Sequence, residues 1–176
     1  MTIKDTSVCN NDLLQSAKFI LSFPRLTSTQ FFCQSVNIPG LSTQNTLQNT
    51  PFSDLSIPGD KLVYEPFNIE FLVDEEIQSW MAVHDWMRGI TFPTEFSEYT
   101  NLNHASKYSE NVPYPQYADA ELTILAANNT PKMKVHFIDM FPISLSQVPL
   151  DIRLGSEHTI TATANFKFKR YDITRI

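Results

Sequence analysis

Residues 67–89 read FNIEFLVDEEIQSWMAVHDWMRG, and within this stretch the apolar period changes from two to about 3.6 residues. Phe67, Ile69, Phe71 and Val73 alternate with Asn68 and Glu70, the pattern of a strand with one buried face. Beyond Asp74, apolar residues recur at helical spacing: Ile77, Trp80, Met81, His84 and Met87 share a face, with Val83 and Trp86 to one side of it. Asp74 is a capping residue type, Glu75 and Glu76 suit the positive end of a helix dipole, and Gly89 suits a helix end. The spacing therefore predicts a strand followed by a helix over 74–88, the one helix that the pattern supports.

Outward from this junction, the remaining periodic segments read as strands. In AKFILSF (17–23), Ala17, Phe19, Leu21 and Phe23 alternate onto one face before Pro24, and QFFCQSVNI (30–38) gives a second strand. Residues 91–117 mix aromatics and prolines with polar residues at no regular period and read as a loop. Strands resume at ADAELTILA (118–126), where Ala118, Ala120, Leu122 and Ile124 face one way. Asn128-Asn129 supplies a hairpin turn, and KMKVHFI (132–138) points Met133, Val135 and Phe137 inward. The last segment, HTITATANFKFKRYDI (158–173), carries one long apolar face of Ile160, Ala162, Ala164, Phe166 and Phe168. The expected fold is mainly β: an antiparallel sandwich or barrel with one packed α-helix and a long protruding hairpin loop. It occupies a single domain over 1–176, with residues 1–15 as an N-terminal segment.

Composition narrows the function. The 176 residues are 42% hydrophobic, enough for a core, and 19 acidic against 13 basic side chains leave a formal charge of -6. A protein that grips nucleic acid by neutralising phosphates needs the opposite balance. Cys9 and Cys33 lie 24 positions apart with no CxxC, which fits two reduced thiols in a cytoplasm better than one bridge. The opening MTIKDTSVCNNDLL shows no basic region followed by an apolar run, and no stretch approaches the roughly 20 apolar residues of a membrane span. Neither export by a signal peptide nor a membrane partner is expected.

Signatures of catalysis are missing from the sequence. It contains no GxxxxGK[ST], GxGxxG, GxSxG or HExxH, and 4 glycines are few for a phosphate-cradling loop. His84 and Asp85 are adjacent on the helix, so their side chains leave it about 100° apart and do not converge on one ion. Cys33, flanked on its face by Phe31 and Ser35, reads as a small buried hydrophobe rather than a nucleophile. His104, His136 and His158 are far apart in sequence, and Asn128-Asn129-Thr130, though a glycosylation sequon, reads as a turn. Trp80 and Trp86 could form a sugar platform in a carbohydrate-binding sandwich, together with tyrosines of 99–117; packing of helix on sheet is their simpler use. The expectation is no enzyme, no catalytic residue, no cofactor and no metal.

One segment resists a purely internal role. PGLSTQNTLQNTPFSDLSIPGDK (39–61) is fenced by Pro-Gly pairs, and residues 41–57 hold one charge, Asp54, and five large apolar residues: Leu41, Leu47, Phe52, Leu55 and Ile57. The backbone entropy of ordering so long a segment exceeds what burying five such side chains returns. A disordered linker would carry more charge and fewer large aliphatics. The mixture suits an extended hairpin whose backbone bonds and apolar side chains are completed by a neighbouring subunit, which makes these five the candidate inter-subunit contacts.

The order of the pieces resembles the tail tube proteins of contractile-tailed, T4-like bacteriophages over nearly the whole chain. The resemblance rests on FPRLTSTQFFCQSVNIPGLS (23–42), FNIEFLVDEEIQSWMAVHDWM (67–87), ELTILAANNTPKMKVHFIDMFPISLSQV (121–148) and ITATANFKFKRYDI (160–173), and MFPISLS is its most typical stretch, although the same residues also read as a plain proline turn. It implies a β-sandwich or barrel that assembles into hexameric rings, stacked in the virion tail as a hollow tube after assembly in the host cytoplasm. It also implies tail sheath and baseplate proteins as partners, and DNA passing an acidic lumen without specific binding. The 39–61 arm would reach the adjacent subunit or ring. The same barrel builds baseplate proteins that initiate the tube and the secreted rings of type VI systems. The polar-aromatic 91–117 stretch, which departs from a minimal tube subunit, keeps the baseplate initiator as the alternative.

Overall fold

The computed structural model describes residues 18–104, 116–151 and 159–176. In chain order these form β1 (Phe19–Ser22), α1 (Thr27–Phe31), β2 (Cys33–Val36), β3 (Leu41–Asn49), β4 (Asp54–Tyr64), β5 (Phe67–Leu72), α2 (Gln78–Thr91), α3 (Phe96–His104), β6 (Ala118–Leu125), β7 (Pro131–Leu145), β8 (Thr161–Lys167) and β9 (Arg170–Arg175).

Two antiparallel sheets share β7. Its first half lies in a sheet ordered β1-β6-β7-β9, and its second half lies in a sheet ordered β7-β8-β5-β2. The pairing of β3 with β4 forms a separate two-stranded ribbon. Strand β7 changes sheets through two irregularities. Asp139 takes a left-handed φ of 54°, and the register with β8 shifts between Pro142 and Ser144, where a residue without an N–H costs the ladder least.

The core lies between the sheets and under α2. Phe23, Phe67, Phe71, Phe137 and Phe166 are fully buried. Phe23 meets Phe166 edge-on at 5.5 Å and Trp86 at 5.9 Å, while the Phe67 and Phe137 centroids are 4.5 Å apart. The alternation read from β5, β6 and β8 places Phe67, Ile69, Phe71, Ala118, Ala120, Leu122, Ile124, Ala162, Ala164 and Phe166 in this core. The Asn128-Asn129 turn closes the β6–β7 hairpin, with Asn129 at φ 62° and its N–H donating to the Ala126 carbonyl at 2.9 Å.

Several expectations are corrected. The helix begins at Gln78 and not at 74, because an intervening turn puts Ile77 at φ 57°; Asp74 still caps, accepting the N–H groups of Gln78 at 3.0 Å and Ser79 at 2.8 Å. Glu75 and Glu76 therefore precede the helix. Gly89 is buried inside it, since a Cβ there would meet the Leu102 side chain of α3 at 2.7 Å; the helix ends instead at Phe92, in left-handed conformation. Its buried side is Ser79, Val83, Trp86 and Gly89, while Ile77 and Met81 are exposed. The helix is apolar on too much of its circumference for spacing alone to choose the face.

It is also not the only helix. Residues 27–31 form α1, pinned by the Thr29 hydroxyl, which donates to the Ser79 carbonyl at 2.9 Å; the helix takes the first two residues of the strand expected over 30–38, which shrinks to Cys33–Val36. Phe31 thus no longer shares a strand face with Cys33. Residues 96–104 of the expected loop form α3, and MFPISLS lies within or just after β7 rather than in a turn. The single C-terminal strand is two, β8 and β9, because the chain crosses at 168–169 from one sheet to the other. Ala17, the N-terminal segment 1–15 and His158 lie outside the described residues.

Candidate functional site: the β3–β4 arm

Strands β3 and β4 pair from Leu41 opposite Tyr64 to Asn49 opposite Asp54 and, among the described residues, hydrogen-bond to no other strand. At the base, the Glu65 N–H donates to the Gly40 carbonyl at 3.0 Å and the Tyr171 hydroxyl to the Pro39 carbonyl at 3.3 Å. The Tyr64 ring packs on Phe168 and Tyr171 at 5.4 and 5.5 Å, so the arm grows out of the aromatic end of the core. At the far end, the Thr50 N–H donates to the Ser53 carbonyl at 3.2 Å and the Ser53 N–H to the Thr50 hydroxyl at 3.2 Å, a turn that leaves Phe52 99% exposed. Midway, the Asn45 amide donates to the Ser56 hydroxyl at 3.0 Å across the ribbon.

The register does not gather the five candidate residues on one face. Leu55 and Ile57 stand opposite Gln48 and Thr46 on one side, Leu47 stands opposite Ser56 on the other, Phe52 caps the tip and Leu41 sits at the base. Leu41, Leu47, Leu55 and Ile57 are 53%, 60%, 55% and 40% exposed. Leu62 and Val63, also exposed, extend this surface beyond residue 61. The sequence reading missed them because it ended the arm at Lys61, although the apolar run LVY at 62–64 carried the signal. A two-stranded ribbon with apolar side chains on both faces and two open backbone edges is poorly stable alone. Each such side chain is worth about 1.5–3 kcal/mol when a partner covers it.

Other candidates have structural duties. Trp86 is buried, its indole N–H donating to the Gln116 carbonyl at 3.0 Å with the Arg25 guanidinium 4.5 Å from its ring; the Trp80 indole donates to the Ser146 carbonyl at 3.0 Å. The two indoles pack helix on sheet and form no sugar platform. Cys33 is half-buried, and burial pushes its thiol up to about 11, away from nucleophilic use. His84 Nδ1 lies 3.2 Å from Asp85 Oδ1, so the two adjacent side chains bend together despite their divergent Cβ directions. Among the described residues no three His, Cys, Asp or Glu side chains come together as a metal site, and no helix is long and apolar enough to cross a membrane.

Comparison with known proteins agrees with this architecture. The chain is 27% identical over 169 residues to the tail tube terminator protein of Enterobacteria phage T4, covering 91% of this chain and 88% of the relative. Its fold is similar to the anti-feeding prophage tube-terminating cap (TM-score 0.58, 12% identity, 100% of both chains). It is equally similar to a chain of the anti-feeding prophage baseplate (TM-score 0.58, 10% identity, 93% of this chain and 97% of the other). The family model described as phage tail tube protein matches residues 13–174, nearly the whole sequence, and the chain accordingly belongs to the phage tail tube protein family.

Proposed function

We propose that the chain is a non-enzymatic structural subunit that closes into homohexameric rings of the inner tail tube of a contractile tail. The arm is completed by a neighbouring copy through Leu41, Leu47, Phe52, Leu55 and Ile57. The observation that carries this reading is the arm itself: a β-ribbon that pairs with no other strand among the described residues and is clothed in exposed aliphatics, beside a buried core of its own. Six copies at -6 each would bring a charge of -36 to a ring, and an acidic passage would let DNA slide without adhering. Sheath and baseplate proteins would be the other partners.

A second reading places the ring at the end of the tube, and the match to the T4 terminator over 91% of the chain favours it. The baseplate initiator, the third position, is supported by fold likeness alone. Negative-stain microscopy of the purified protein tests all three. Rings with a central hole are expected, and deletion of residues 43–57 is expected to leave a folded protein that no longer associates. Growth into long stacks selects the tube body. Single rings that bind one end of a preformed tube select the terminator or the initiator, according to the end. A monomer at high concentration that binds no tube or baseplate protein would sink the proposal.

A further inference from the structure

Among the described residues, β3 and β4 each leave one backbone edge open, and the two edges differ. The Thr50 N–H donates to the Ser53 carbonyl at 3.2 Å, which makes these two a bonded pair. Bonded and unbonded pairs alternate along an antiparallel ribbon, so Thr46 and Gln48 turn their backbone groups toward β4 while Asn45, Leu47 and Asn49 turn theirs away. At the root, the Gly40 carbonyl accepts the Glu65 N–H, which puts Leu41 and Thr43 in the same outward phase. The phase agrees on both sides of the bulge because the extra residues, Gly59 to Lys61, all lie in β4. The free edge of β3 is therefore continuous from Leu41 to Asn49, and these 9 residues include no charge, proline or glycine.

The free edge of β4 is blunted. Pro58 stands opposite Asn45 in an unbonded pair, so the N–H that it lacks is one that would face outward. Asp54, Asp60 and Lys61 add charge, and the bulge interrupts the edge. Proline, charge and bulges are the devices that keep a strand edge from pairing, and β3 carries none of them. It is the edge of the arm left competent to add a strand.

The body of the chain offers a matching edge. Among the described residues, β1, β2 and β9 lie at sheet edges. β1 and β2 span 4 residues each, and the register of β2 shifts between Cys33 and Ser35. β9 spans 6, without proline, glycine or register shift. Of its charged residues, Arg170 and Asp172 pair with each other at 3.5 Å, and Arg175 is the last of the strand. Just beyond it, the Ile176 N–H donates to the Lys132 carbonyl at 3.1 Å, so the same alternation turns the backbone of Tyr171, Ile173 and Arg175 outward. One edge on the arm and a different edge on the body make a head-to-tail contact, the kind that closes rings.

We propose that β3 adds through its free edge to β9 of a neighbouring copy, extending that copy's sheet by backbone hydrogen bonds. This rests on the self-associating reading above and names the strand of the arm and the strand of the body that meet.

The test is amide hydrogen exchange of the full chain below and above its association concentration, quenched and read by NMR. On association, exchange at Asn45, Leu47, Ile173 and Arg175 is expected to slow at least about tenfold, while Asp54 and Ser56 keep their monomer rates. Association without this slowing, slowing at Ser56 instead, or slowing on β3 without β9 overturns the pairing and leaves self-association standing. Absence of association at any concentration overturns both. Asn45→Pro and Ser56→Pro each remove one outward N–H, and both lose the Asn45–Ser56 side-chain bond, so that loss cancels between them. Asn45→Pro is expected to raise the association Kd at least about tenfold and Ser56→Pro to leave it unchanged; equal loss or the reverse order overturns the proposal. Should either variant fail to fold, the exchange pattern of the parent decides.

Discussion

Gly59 of β4 lies so close to Gln44 of β3 that a Cβ at position 59 would press into the Gln44 carbonyl oxygen. Here the arm's register shifts between Thr43 and Asn45, and three residues of β4 pass one of β3. Gly59→Val is expected to break the ribbon at this bulge while sparing the body, since the ribbon is a sheet of its own. Thermal unfolding should shift by less than about 4 °C, under roughly 1 kcal/mol for a chain of this size. Sedimentation velocity should show lost association. A variant that associates normally would show that the arm's distal half is dispensable.

Gly89 against Leu102 gives a second prediction. Gly89→Val should push α3 off α2 and destabilise the fold by about 1–3 kcal/mol in urea unfolding, as overpacking does. Gly89→Ala should be close to neutral, because the helix-propensity gain of up to about 1 kcal/mol offsets a clash met mostly by the flexible end of a leucine. Equal stability of the valine variant would refute the α2–α3 contact.

Asp74 sets a pH dependence. The Ser79 hydroxyl, then the N–H groups of Ser79 and Gln78, hold its carboxyl below the ordinary 3.8. A lowered folded-state value means that the ionised form is favoured by folding. Its contribution is therefore complete above pH 3.8 and is lost as pH falls through the lower folded value. Hydrogen exchange at Gln78 and Ser79 should accelerate relative to the core below pH 3.8 in the parent, and Asp74→Ala should be equally fast at neutral pH. Unchanged protection in that variant would remove Asp74 as the cap.

Cys33 offers a chemical check. A thiol moved from 9.0 to about 11 holds about a hundredfold less thiolate at pH 8. Peptide mapping after iodoacetamide treatment should find Cys33 labelled correspondingly more slowly than a free cysteine. Rapid labelling of the folded protein would reopen a reactive role.

Much of this molecule was legible in its sequence because strand alternation is a local property. Phe67, Ile69 and Phe71 point inward for the same reason that Asn68 and Glu70 point outward, and no distant information is needed to see it. What escaped depends on non-local partners. Thr29 makes a helical turn of residues 27–31 by bonding to Ser79, fifty positions away, and Gly89 reads as a helix end until Leu102 is seen against it. The break between β8 and β9 was invisible because the apolar alternation runs on through Phe168 while the chain changes partner from β5 to the first half of β7. The arm's residues were readable by composition, but the division of Leu47 from Leu55 and Ile57 between two ribbon faces follows from the register set by the turn between Asn49 and Asp54, which no period announces.

Strand β7 runs fifteen residues through the bulge at Asp139 and belongs to both sheets. A pull applied to one sheet therefore reaches the other along covalent backbone as well as through side-chain friction. Shear between the two layers of this chain is therefore opposed by a covalent strap, and yielding would begin elsewhere than at the join of the sheets.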